Sequence, residues 1–157
     1  MTRASQELTT LLVKDWAESM LQETTRTMPS PLPSGVCSLR GHLLPLTMEN
    51  FPSGPTYDRN GIVKIRFQAD CADRNGTLKS VTVWDTAARQ LLQVNGTSLI
   101  ALWEACENEG GTEAFLQQMN FAEGKEYQFL LEVSIREWQG KCSYQISVTN
   151  ATEIDAE

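Results

Sequence analysis

Apolar residues recur every fourth position at Leu8, Leu12, Trp16 and Met20, with Leu11 and Leu21 beside them, while Lys14, Asp15, Glu18 and Glu23 fall on the other side. That spacing is the 3.6-residue period of an amphipathic helix, and Ser5 offers an oxygen to cap its first turn. The pattern predicts a helix over residues 5–25. Pro29, Pro31 and Pro33 follow within Met28–Gly35, where missing amide protons and fixed φ angles stop the helix and leave a short stiff linker.

From Gly35 the period changes to two. Cys37, Leu39, Gly41 and Leu43 alternate with Ser38, Arg40, His42 and Leu44, which predicts a strand. A turn-rich stretch over 50–61 leads to a second strand, with Val63, Ile65, Phe67 and Ala69 alternating with Lys64, Arg66 and Gln68. Asp73-Arg-Asn-Gly76 turns into a third strand, Leu78 to Asp85, with Val81 and Val83 alternating with Ser80, Thr82 and Trp84. Helical periodicity then occupies 86–92, 98–106 and 112–120, broken at Asn95-Gly96 and Gly110-Gly111. Two further strands close the chain: Tyr127, Phe129, Leu131, Val133 and Ile135 mark one apolar face, and Cys142, Tyr144, Ile146 and Val148 the other.

Three strands, a helical connection and a closing hairpin is the order of the OB-fold, a five-stranded Greek-key barrel that binds oligonucleotides on the face of its second and third strands. The predicted class is therefore mainly β, an OB barrel with a helical connection between strands three and four, preceded by an amphipathic helix. The division is 1–34 for helix and linker and 35–157 for the barrel. A generic α+β sandwich is the alternative with the same element order. In the barrel, Leu39, Leu43, Val63, Ile65, Phe67, Val81 and Val83 fill the interior.

The chain has 157 residues and a net charge of −7, which at first sight opposes a polyanionic partner. The charge is unevenly spread: residues 1–34 carry 3 basic and 4 acidic groups, 35–90 carry 7 and 5, and 91–157 carry 3 and 11. No apolar run reaches the ~18 residues of a membrane span, and Arg3, Glu7, Lys14 and Asp15 occupy the place of a signal peptide's apolar stretch. A soluble, unsecreted chain is the expectation, with the sequons at Asn75, Asn95 and Asn150 arising by chance. Cys37, Cys71, Cys106 and Cys142 form no C-x-x-C pair and have no histidine at ligand spacing, so free thiols and no metal are expected.

The run Ser80-Val-Thr-Val-Trp-Asp-Thr-Ala-Ala-Arg-Gln-Leu-Leu92, then Phe115-Leu-Gln-Gln-Met-Asn-Phe121 and the hairpin Tyr127 to Val148, resembles the C-terminal OB domain of the replication protein A large subunit. The likeness covers about residues 35–150. It implies single-stranded DNA binding in replication, repair, recombination or telomere maintenance, and a nuclear protein. In that family a four-cysteine zinc ribbon lies between the first two strands; here Thr47–Asn60 contains no cysteine, so no metal or other cofactor is expected. The family domain also ends in an assembly helix, which has no counterpart before Glu157, leaving the N-terminal helix as the segment for a partner.

Read from the residues alone, the outward set on the first three strands is Ser38, Arg40, His42, Lys64, Arg66, Gln68, Ser80, Thr82 and Trp84. Single-strand binding combines cations along the phosphates with aromatic faces for the bases. The candidate site is Arg40, Lys64, Arg66 and Trp84, completed by Trp138 and Lys141 at the last hairpin; Tyr57 and His42 are weaker candidates. The partner is single-stranded DNA or RNA, bound weakly because of the acidic last third, together with a protein partner at the N-terminal helix or that acidic segment. The competing reading is an OB scaffold for protein contacts with no nucleic-acid binding. Catalysis is not expected: the single His42 has no nucleophile motif near it, and neither a phosphate loop nor an H-E-x-x-H occurs.

Overall fold

In the computed structural model the described residues are 7–46, 56–57, 60, 63–64, 66–92 and 124–154. The predicted helices 98–106 and 112–120, and the expected core residue Ile65, lie outside them, as do the side chains of Tyr57, Val63 and Lys64.

Five long strands form the body: β2 (Ser34–Leu43), β5 (Phe67–Asp73), β6 (Gly76–Val83), β7 (Tyr127–Trp138) and β8 (Lys141–Glu153). Each has one apolar and one polar face, so a flat sheet would leave its inner face in water; the strands close on themselves instead. β2 pairs antiparallel with β7 from Ser34↔Ser134 to Gly41↔Tyr127, then passes to β5 at His42↔Ala72. β5 and β6 form a hairpin, β6 runs parallel to β8 at Thr82↔Ser147, and β8 returns along β7. The resulting ring, with its parallel closure between the third and fifth barrel strands, is the OB-fold. Leu39, Phe67, Val81, Val83, Phe129 and Leu131 are buried in its centre.

Among the described residues, three short strands decorate it. β1 (Glu7–Leu8) runs parallel to Ser38–Leu39. β3 (Thr56–Tyr57) and β4 (Val63–Lys64) make a small ribbon in the connection from β2 to β5.

The N-terminal helix, α1 (Thr10–Thr27), starts later than the sequence predicts because Glu7 and Leu8 are extended against β2 and Thr9, not Ser5, is the cap, its hydroxyl accepting Leu12 N–H at 3.2 Å. Met28 ends it in the left-handed region (φ 44°), donating its N–H to Thr24 O at 2.7 Å. Thr10, Val13, Ala17 and Thr24 are the fully buried positions; of the expected stripe, Leu8, Trp16 and Met20 pack partly buried against the core, whereas Leu12 is 51% exposed. Small residues let the helix axis approach the barrel closely, while Trp16 and Met20 pack on the flank. A Cβ on Gly35 would come within 2.5 Å of the Trp16 ring, so this glycine is what permits the approach.

α1 closes one end of the barrel. Its first turn sits on the β5–β6 turn through Thr10 and Asp73, its middle on the start of β2 at Gly35, and its last residue beside the start of β8, with Met28 Sδ 3.8 Å from Cys142 Sγ. The opposite end is closed by α2 (Asp85–Leu92), whose Ala87, Ala88 and Leu91 are buried and whose Gln90 Oε1 accepts Ala151 N–H at 2.7 Å. Among the described residues no helix is long and apolar enough to cross a membrane.

Candidate nucleic-acid interface

Phe67 faces Val83 across the β5–β6 hairpin. One step outward, the same register sets Arg66 opposite Trp84, and the Arg66 guanidinium carbon lies 5.2 Å from the centre of the indole ring. That is cation–π distance, worth ~0.5–1 kcal/mol at an exposed site. Trp84 is fixed by its backbone on both sides: its N–H donates to Val148 O at 3.1 Å, and its carbonyl accepts the Ala88 N–H that starts α2 at 2.8 Å. The ring is half-buried and Arg66 is exposed, so the cation is the mobile member of the pair.

Gln68 continues the face outward and is exposed. Its register partner Thr82 was expected outward too but is buried, its hydroxyl accepting from Gln145 Nε2 at 3.1 Å. Further along, two residues of β6, Lys79 and Ser80, face only Asp70 of β5, a bulge in which Ser80 takes φ 57° and donates its N–H to Asp70 Oδ1 at 2.9 Å. The bulge adds an exposed cation, Lys79, that strict alternation did not single out; two non-β-branched polar residues between Leu78 and Val81 were its only sequence signal.

The other candidates are distributed around the barrel. Lys64 lies in the β3–β4 ribbon two residues before Arg66, with Tyr57 opposite Val63 in the same ribbon. Trp138 and Lys141 pair across the β7–β8 turn, where Gln139 (φ 52°) and Gly140 (φ 81°) are both left-handed, as a two-residue type I′ turn requires. Trp138 is 77% exposed. Because Val83 aligns with Val148 and the strands are parallel, Lys141 is level with the start of β6, roughly 20–25 Å along the sheet from Trp84 at ~3.3 Å per residue.

Arg40 is placed elsewhere. It sits on β2 opposite Gln128 of β7, its Nε paired with the Glu126 carboxylate. With His42, Arg74, Lys125 and Glu7 it lines an open cleft of about 840 Å³ that also takes in Asp73. The acids there match the cations in number, so the cleft is not a cationic funnel. Among the described residues no group of three or more His, Cys, Asp or Glu converges as metal ligands.

No known family profile and no curated protein matches this sequence. Among solved structures, the chain is similar to a chain of a replication protein A heterotrimer determined bound to single-stranded DNA. The TM-score is 0.63 at 14% identity, over 96% of this chain and 37% of the other. At that identity the likeness establishes the shared OB-fold, and this chain spans little more than a third of its neighbour.

Proposed function

We propose that this OB barrel binds single-stranded DNA along the outer face of β5 and β6, in nuclear DNA replication, repair, recombination or telomere maintenance. The observation that carries the reading is the Arg66–Trp84 pair on a face that α1 leaves open: a π surface for a base beside a cation for its phosphate, on the strands OB-folds use. Lys64 lies just upstream, and Trp138 with Lys141 offers a second aromatic–cation pair at the hairpin tip. The solved neighbour bound to single-stranded DNA supports the same use of the fold. Arg40, already paired with Glu126, belongs to the periphery of the interface.

The test is fluorescence anisotropy of a labelled ~20-nucleotide oligothymidine at about 50 and 200 mM salt, with duplex DNA as control and the RNA equivalent as competitor. Saturable single-strand binding that salt weakens, and much poorer duplex binding, is the expected result. The alternative is a protein-docking barrel, favoured by the exposure of Leu11 and Leu12 on the first turn of α1 (52% and 51%). It requires no binding of the oligonucleotide up to hundreds of micromolar.

A further inference from the structure

We propose that Arg66 covers the Trp84 ring in the free protein and leaves it for a backbone phosphate when a strand arrives, so that the platform accepts bases only when they are carried on a charged chain. This rests on the single-strand reading and adds a specificity-determining role for one residue within it.

The geometry supplies both halves of the exchange. The Trp84 main chain is held at its N–H by Val148 O and at its carbonyl by the first turn of α2, and the residue is half-buried, so the ring is the more anchored partner. Arg66 can move away, because it is exposed and precedes β5 instead of lying within it. Among the described residues no carboxylate pairs with Arg66; Asp70, the acid on the same strand face, is engaged by the Ser80 N–H. The guanidinium has therefore settled on the ring, 5.2 Å from its centre, over a surface that a stacking base would need. A neutral base must displace the cation and gives it nothing in return. A nucleotide offers the displaced guanidinium a phosphate, and charge-assisted Arg–phosphate hydrogen bonds are stronger than the contact given up. Lys at this position would hold the phosphate as a point charge but lacks the planar surface that lies over the indole.

The experiment compares the parent with Arg66→Ala and Arg66→Lys on two ligands bearing the same bases: oligothymidine and a thymine peptide nucleic acid, whose backbone is uncharged. Acrylamide quenching of tryptophan fluorescence, with Trp84→Phe subtracted to isolate Trp84, reports ring access without any ligand. For Arg66→Ala the expected result is greater quenching of Trp84 and tighter binding of the neutral polymer by about 2- to 5-fold, the worth of an exposed cation–π contact. Oligothymidine should bind more weakly, its salt slope reduced by ~0.7. Arg66→Lys should keep the slope and still gain quenching. If the parent binds oligothymidine but Arg66→Ala gains neither quenching nor peptide nucleic acid affinity, the covering role is overturned while single-strand binding stands. If the parent binds no oligothymidine, both readings fall together.

Discussion

Thr10 and Asp73 are joined by two hydrogen bonds: Thr10 N–H donates to Oδ2 at 2.9 Å and its hydroxyl to Oδ1 at 2.6 Å. The same carboxylate accepts Asn75 N–H at 2.8 Å and Gly76 N–H at 3.2 Å, so one side chain fastens the first turn of α1 to the β5–β6 turn. Partial burial works against the charge on Asp73, but the donors from Thr10, Asn75 and Gly76 outweigh it and hold the carboxyl below its ordinary 3.8. A carboxyl depressed in the folded state stabilises above its unfolded pKa, and that contribution is lost as pH falls through the folded value. Asp73→Asn should therefore cost ~1–3 kcal/mol at pH 7, and less below pH ~4, measured as urea midpoints at both pH values. Equal losses at both would remove the carboxylate charge from the account.

A β-carbon on Gly41 would collide with the backbone carbonyl oxygen of Ala72, where β2 passes from β7 to β5. Backbone cannot yield without breaking that pairing, so Gly41→Ala should lose ~1–3 kcal/mol through overpacking. Gly140, by contrast, has open space around it and only its φ of 81° to restrict it. Gly140→Ala should cost ~1 kcal/mol from the left-handed backbone alone, with denaturant midpoints giving the order.

The barrel was legible because each long strand keeps its period of two over most of its length, and five such runs in this order have few ways to close. Alternation failed where the strands bulge. Leu78 and Val81 are three apart yet both inward, since Lys79 and Ser80 together face Asp70; a period-two reading sees only one parity. The helix sits rotated by part of a turn from the predicted stripe: Leu8, Trp16 and Met20 of that stripe do pack against the core, but close packing on the barrel end buries Val13 and Ala17 deepest and leaves Leu12 exposed. In the site, counting back from the Asp73–Gly76 turn alone would set Arg66 opposite Val83; the extra residue at Lys79–Ser80 shifts the register by one and brings Trp84 across from Arg66, so the pair was no more legible than the bulge. That Arg40 is tied to Glu126 depends on β2 meeting the start of β7, a long-range pairing that no local pattern encodes.

Cys37 and Cys71 are buried free thiols. Burial pushes Cys37 up to about 11, and burial together with the nearby Asp70 charge pushes Cys71 up to about 12. Since the thiolate is the nucleophile, both should resist alkylation in the native protein at pH 8 and react only on unfolding, whereas partly exposed Cys142 should react within minutes. Mass spectrometry of peptides after a timed iodoacetamide pulse, with and without urea, separates the sites. Native labelling of Cys71 would mean that the β5 region opens far more readily than a closed barrel allows.

The two contributions on the β5–β6 face should separate by salt. Trp84→Ala removes a stacking surface and should weaken oligothymidine binding by ~1–3 kcal/mol with the salt slope unchanged. Lys64→Ala should lower the slope by ~0.7 with a smaller loss at high salt. Arg40→Ala, already neutralised by Glu126, should leave the slope where it is. A slope that falls with Arg40→Ala and not with Lys64→Ala would move the strand's path to the β2–β7 side.

Trp138 tests how far that path extends. At 77% exposure on a two-residue turn it contributes little to the core, so Trp138→Ala should shift stability by no more than ~0.5 kcal/mol. Its distance from Trp84 makes its effect on binding depend on ligand length. A ligand of ~4 nucleotides, the lower limit for an OB barrel, can occupy the Trp84 end alone, whereas one of ~16 reaches the hairpin tip. Trp138→Ala should therefore leave the short oligothymidine unaffected and weaken the long one by ~1–3 kcal/mol, with Lys141→Ala lowering the salt slope only for the long ligand. Isothermal titration of both lengths decides it: an equal effect on both would place the tip beside the Trp84 platform in the complex, and no effect on either would confine the strand to β5 and β6.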